Sequence, residues 1–159
     1  MSERIPNLSV ENARIIFRNF AGKEAKFNPA GRRNFCLLLD NENAEIMKEQ
    51  GWNVKTLAPR DPDAEPQPYI QVKVVFDNFP PNIWLISGGK KTRLDEDTVD
   101  SLDYAEIENV DLIVTPYMWD ISGKTGITAY LKTMYVTIAE NEFEKKYRDL
   151  DEDDEDTPF

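Results

Sequence analysis

The chain is 159 residues long, has no histidine and a single cysteine, Cys36, and carries a net charge of −11. That length suits one domain with its own core and no metal or disulfide staple. The missing histidine excludes Ser-His-Asp and Cys-His catalysis, and one cysteine builds neither an internal disulfide nor a Cys/His zinc site.

Residues 1–8 read as a loose leader, and Met1–Pro6 lacks the pattern of a signal peptide. Val10 to Phe20 suits a strand, with Ala13, Ile15 and Phe17 on one face and Arg14, Ile16 and Arg18 on the other. The Gly-, Asn- and Pro-rich residues 21–31 predict a long loop or irregular hairpin. Arg33 to Leu39 predicts a central strand, with Cys36 a small buried hydrophobe in it. Asp40 or Asn41 can cap a helix running to about Gln50, stopped by Gly51. Val54–Leu57 predicts a short strand, and the proline-punctuated, acidic stretch 58–68 a polar loop. Tyr69 to Phe76 alternates again, with Ile70, Val72, Val74 and Phe76 inward, until Pro80-Pro81 breaks it.

Asn82 to Ser87 predicts another short strand, followed by Gly88-Gly89-Lys90-Lys91, and Asp95–Leu102 one or two helical turns. Ile107 to Trp119 predicts a strand in which Pro116 implies an edge or a bulge. Ser122–Gly126 forms a hairpin turn, Ile127–Ala139 returns as a strand, and Glu140–Arg148 predicts a last helical turn with Phe143 and Tyr147 at i,i+4. No stretch approaches the length of a membrane span. The expected fold is all-β with one or two short helices: a five-stranded barrel of the oligonucleotide-binding kind with elaborations, spanning 1–148, followed by a disordered acidic tail at 149–159.

Charge is distributed unevenly. Seven acids fall within residues 149–156, and removing them from −11 leaves −4. Residues 12–35 hold six bases against one acid, a net +5. Here bases alternate with aromatics, as in Phe17-Arg18-Asn19-Phe20 and Arg32-Arg33-Asn34-Phe35. Binders of single strands need cations to follow phosphates and flat rings on which bases stack. No basic recognition helix of the kind that reads duplex grooves is present. The candidate single-strand contacts are Arg14, Arg18, Phe20, Lys23, Lys26, Arg32, Arg33, Tyr69, Lys73, Lys90, Lys91, Arg93, Tyr117, Trp119, Tyr130 and Lys132, whereas Phe17, Phe35, Trp52 and Trp84 read as packing residues. The chain ends in Asp153, Asp154, Glu155, Asp156, Thr157, Pro158 and Phe159, a ring beside a carboxylate with flanking acids, which suits capture by a basic pocket on a partner.

The ending Glu155-Asp156-Thr157-Pro158-Phe159 resembles the acidic, Asp-x-Pro-Phe terminus of bacterial single-stranded DNA-binding proteins. The body resembles a bacteriophage-type single-strand binder, carried by Phe27-Asn28, Gly31-Arg32-Arg33-Asn34-Phe35, Gly51-Trp52-Asn53-Val54-Lys55 and Gly126-Ile127-Thr128-Ala129-Tyr130-Leu131-Lys132. The bacterial Gly/Gln-rich linker is missing, so a tetramer of that kind is not implied and homo-oligomerisation stays open. The resemblance implies a non-enzymatic protein without cofactor that coats single-stranded DNA in replication, recombination and repair. It further implies recruitment of polymerase, helicase or nuclease through the tail, in the cytoplasm, a host's if the gene is viral.

Two rivals are weaker. Gly123-Lys124-Thr125 resembles a phosphate loop, but the first glycine of that motif would fall at Met118 and the segment joins two strands. Asp40 and Asp77 end apolar strands as nuclease metal ligands do, without a third acid. The alternative from another class is a protein-interaction module or DNA-mimicking adaptor that acts through its acidic tail.

Overall fold

In the computed structural model, which describes residues 5–139 apart from Phe27, Arg60 and Asn78, period-2 alternation of apolar side chains sets most of the architecture. Among the described residues nine strands form: β1 (Leu8–Val10), β2 (Ile15–Asn19), β3 (Arg33–Leu38), β4 (Lys55–Leu57), β5 (Gln67–Val74), β6 (Asn82–Ser87), β7 (Lys90–Leu94), β8 (Ile107–Ile121) and β9 (Lys124–Ile138). One helix, α1 (Asn41–Gln50), follows β3, and a 3-10 turn (Val99–Asp103) precedes β8. Asp40 caps α1 by accepting from the Asn43 backbone N–H at 2.7 Å, and Gly51 ends it in the left-handed region at φ 102°. Among the described residues no helix is long and apolar enough to cross a membrane. The predicted turn over 140–148 and the tail 149–159 lie outside the described residues.

The sheet is mixed, with the path β1-β8-β9-β5-β3-β2. β5 and β6 run parallel to β9, and the other ladders are antiparallel. The two end strands of the path, β1 and β2, are successive pieces of one chain joined by residues 11–14. That link is bonded on both sides: Ala13 N donates to Val110 O at 2.7 Å, and Leu38 N donates to Arg14 O at 2.9 Å. The path therefore curls back on itself through the covalent chain, giving the partly open five-stranded barrel expected of an all-β fold of this class. Its staves are β1 with β2, β3, β5, β9 and β8; the β6–β7 hairpin, β4 and α1 are elaborations.

The interior is filled by Phe20, Phe35, Leu37, Ile70, Val72, Ile83, Leu102, Val110, Val114, Met134 and Val136, all at most 2% exposed. Burying a side chain of this size contributes about 1.5–3 kcal/mol. Phe20 and Phe35 stack with centroids 5.4 Å apart.

Three departures from strict alternation matter. In β2 the register moves from Ile16↔Cys36 to Asn19↔Asn34, leaving one residue extra. Phe17 takes the bulge at φ 51° and turns outward, 65% exposed, instead of entering the core as expected. In β9 the register moves from Thr133↔Ile113 to Leu131↔Val114, which leaves Lys132 as the extra residue. Buried positions before it are odd (Ile127, Ala129, Leu131) and after it even (Met134, Val136). Here too β9 exchanges β5 for β6 as its neighbour. The third departure is β7, which sequence patterning did not predict. Gly88 (φ 57°) and Gly89 (φ 79°) form a two-residue turn, and the polar run Lys90–Arg93 pairs back along β6 as an exposed edge strand. Pro116 lies beyond the end of the β1 pairing at Val114, where β8 has β9 on one side only, as its edge reading required.

Replacing Phe35 by Ala should cost about 3–5 kcal/mol. The expected observation is a lower urea midpoint with an unchanged denaturant slope.

Candidate nucleic-acid interface

Outward-facing residues of neighbouring strands fall in rows across the sheet. One row runs Asn34 (β3), Lys73 (β5), Tyr130 (β9) and Thr115 (β8), each in direct register with the next. Two clefts meet at this row and share Gln71 and Lys73. The first, about 470 Å³, lies between Asn28, Pro29 and Arg32 of the β2–β3 loop and Val75, Phe76 and Asp77 beyond β5, with Tyr130 in its lining. The second, about 520 Å³, lies between Trp52 and Asn53 after α1 and the β8–β9 arm at Trp119, Thr125, Gly126 and Thr128. Together they make one groove over β3, β5 and β9, bounded by a loop at one end and a hairpin arm at the other.

The β2–β3 loop is tied down more than its composition suggested. Phe20 N and Ala21 N donate to the Asp103 carboxylate at 2.6 and 3.0 Å. Gly31 N donates to Gly22 O at 2.8 Å, and a Cβ on Gly22 would lie 3.1 Å from the Gly31 carbonyl carbon. Asn28 Nδ2 donates to Lys23 O and Arg32 O at 2.9 and 3.0 Å, and Asn34 Nδ2 donates to Asn28 Oδ1 at 2.8 Å. The loop is thus fastened to the groove floor through an asparagine pair, which holds exposed Arg32 at the rim.

The arm is rigid for a different reason. Ser122 (φ 53°) and Gly123 (φ 82°) close a two-residue turn between fifteen-residue strands. Tyr117 and Tyr130 meet edge to face at 6.1 Å. The Trp119 ring lies over its cross-strand partner Gly126 so closely that a Cβ there would be 2.5 Å from Trp119 Cζ2.

The expected contact residues divide by place. Arg32, Arg33, Lys73, Trp119 and Tyr130 line the groove, with Tyr117 beside Tyr130 and exposed Lys23 and Lys26 on the loop. Lys23 touches the Tyr104 hydroxyl, and that contact holds its pKa above the usual lysine value. Arg33 also has structural work: it donates to Phe20 O at 2.9 Å and pairs with Glu96 at 3.6 Å. Lys90, Lys91 and Arg93 stand apart on β7, Lys132 on the β9 bulge and Arg14 on the β1–β2 link. Tyr69, in register with Leu38 and Lys55, lies outside both clefts.

Two expectations need correction. Phe20 is 0% exposed and presents no face to a ligand. Arg18 is drawn inward by the β2 bulge, and its Nη1 donates to Leu102 O and Ala105 O, both at 2.8 Å, so it fastens the strand to the segment before β8. Asp40 serves as the α1 cap. Among the described residues no three His, Cys, Asp or Glu side chains gather as a metal site. Cys36 is 8% exposed, and burial pushes its thiol pKa up, with Lys55 pulling the other way. Sequence reasoning missed the groove's neutral floor of Asn34, Gln71 and Thr128, which no charge or ring marks. It also missed exposed Phe17 and Phe79, at 65% and 92%.

Residues 1–158 match a family model described as "Putative phage ssDNA-binding domain". No curated protein matches the sequence. The fold is similar to that of the single-stranded DNA-binding protein of bacteriophage Enc34. In complex with ssDNA, that protein aligns at TM-score 0.56 and 13% identity over 86% of this chain and 89% of that one. Its C-terminal truncation aligns at TM-score 0.54 and 14% identity over 85% and 87%. A further structure of it aligns at TM-score 0.53 and 12% identity over 86% and 83%.

Gly126→Ala should displace the Trp119 ring and cost about 1–3 kcal/mol. The check is a shift in tryptophan emission that is absent when the same substitution is made in Trp119→Phe protein.

Proposed function

We propose that this chain, which belongs to the phage single-stranded DNA-binding domain family, binds single-stranded DNA without sequence preference along the groove over β3, β5 and β9. The observation that carries this is the row Asn34–Lys73–Tyr130 at the junction of two clefts, with a cation beside an aromatic ring in register. In this reading Lys73 and Arg32 follow phosphates, and Tyr130, Trp119 and Tyr117 take stacked bases. Stacking contributes about 1–3 kcal/mol per base and is indifferent to sequence. The polar floor of Asn34, Gln71 and Thr128 accepts any base edge without demanding one. The clefts together hold three cations against Asp77 and Glu96, and Glu96 is paired to Arg33. Local charge at the groove therefore opposes the chain's net −11.

In this reading the protein is non-catalytic and coats strands exposed in replication, recombination and repair. Residues 1–148 form the binding domain. Residues 149–159, outside the described residues, recruit polymerase, helicase or nuclease through the acidic run and the terminal Pro158-Phe159. The same acids compete with DNA for the basic groove, an electrostatic contest that salt weakens.

Titration of fluorescent dT and duplex oligonucleotides at two salt concentrations tests the groove. Wild-type protein is expected to prefer the single strand, and Tyr130→Ala to lose about 1–3 kcal/mol of binding. Lys73→Ala should weaken all sequences alike and flatten the salt dependence by about 0.7 in logarithmic slope. Equal or stronger binding to duplex overturns the reading. Protein lacking residues 149–159 should bind dT more tightly at low salt, with the gain fading as salt rises; an unchanged affinity removes the competition.

A further inference from the structure

The β6–β7 hairpin lies outside the five barrel staves and carries an unusual surface. Trp84 of β6 is in register with Tyr135 of β9 on one side and with Arg93 of β7 on the other. Their neighbours Ile83, Met134 and Leu94 are buried, at 0%, 0% and 5% exposure, so Tyr135, Trp84 and Arg93 share the outer face. Lys91 places its ammonium 4.4 Å from the Trp84 ring centroid, and the Arg93 guanidinium lies 5.9 Å from it. Arg93 is steadied by donating to Asn82 Oδ1 at 2.8 Å. Three of the five residues of β7 are cations and none is an acid, in a chain with 30 acids and 19 bases.

We propose that this row is a second single-strand contact, on which DNA leaving the groove continues. The proposal rests on the groove reading. Its ground is the path along β9. Tyr130 and Tyr135 are five positions apart, an odd spacing that in an unbroken strand sends side chains to opposite faces. The extra residue at Lys132 resets the alternation and brings both rings to the outer face, with exposed Lys132 between them. The distance is roughly 17 Å at about 3.3 Å per residue. Asp111, in register with Tyr135 on the β8 side and occupied by Asn12 N at 2.9 Å and Asn109 Nδ2 at 3.3 Å, repels phosphates from that flank. On the other flank of Trp84, β7 offers cations to the strand. On arrival Lys91 leaves the Trp84 face for a phosphate and a base takes its place.

The test compares dT oligonucleotides at the two ends of the range that such folds occupy, about 4 to 16 nucleotides. Lys91→Ala/Arg93→Ala protein is expected to match wild type on the short oligonucleotide. On the long one it should bind about tenfold more weakly, with a salt slope lower by about 1.4 for two lost phosphate contacts. Trp84→Phe protein should retain binding but lose the additional fluorescence quenching that the long oligonucleotide causes in wild type. If the double variant matches wild type on the long oligonucleotide, or is weakened equally on both, the second contact is overturned. Wild-type protein that binds neither length would instead sink the groove reading on which it depends.

Discussion

The outer path along β9 depends on one extra residue in that strand. This strand is fifteen residues long and pairs with β8, β5 and β6. It must bury Ile127, Ala129 and Leu131 beside one neighbour and Met134 and Val136 beside another. Those two sets have opposite parity, so a regular strand would bury one and expose the other. The bulge at Lys132 lets both sets face inward, and the outer face then inherits a continuous line of polar and aromatic side chains. Core packing and the surface path are solved by the same irregularity.

The cations of the N-terminal half have been divided between structure and surface. Arg18 and Arg33 spend hydrogen bonds on backbone carbonyls of other segments: Arg18 fastens β2 to the chain before β8, and Arg33 fastens β3 to Phe20 at the end of β2. Arg32 and Lys73, one residue from Arg33 and directly beside Asn34 respectively, stay at the groove. Neutral amides then do what charges cannot: Asn28 and Asn34 join loop to floor without adding field or accepting a counterion. A loop held this way loses little conformational entropy when a strand settles against it.

Sequence patterning reached the elements whose signals are local. The Asp40 cap and Gly51 stop of α1, the alternation of β5, the apolar run of β6 and the Ser122-Gly123 turn each have a physical cause within a few residues. What it missed was non-local. Nothing near Phe17 or Lys132 announces a bulge, because the bulge answers to register with β3 and β8. Alternation carried through those positions sent Phe17 inward and Arg18 outward, the reverse of what is found. The polar β7 lacked an apolar face to mark it, although Gly88-Gly89 after an apolar strand was a hairpin signal. Of the residues lining the groove, bases interleaved with rings drew attention to Arg32, strand alternation to Lys73, and the last hairpin to Trp119 and Tyr130. The parallel pairing of β5 with β9, which brings Lys73 beside Tyr130, had no trace in either segment alone.

The covalent closure of the barrel sets an order for folding. The β8–β9 hairpin is the longest ladder and also the most local, with a turn of only two residues, so it can zip early. β1 is the opposite case: Leu8 pairs with Val114, and the link residue Ala13 with Val110. As the chain leaves the ribosome, its first strand has no partner until β8 has been made, about a hundred residues later. Closure is therefore the step with the largest loop to pay for, and the one expected to limit how fast the native topology is reached.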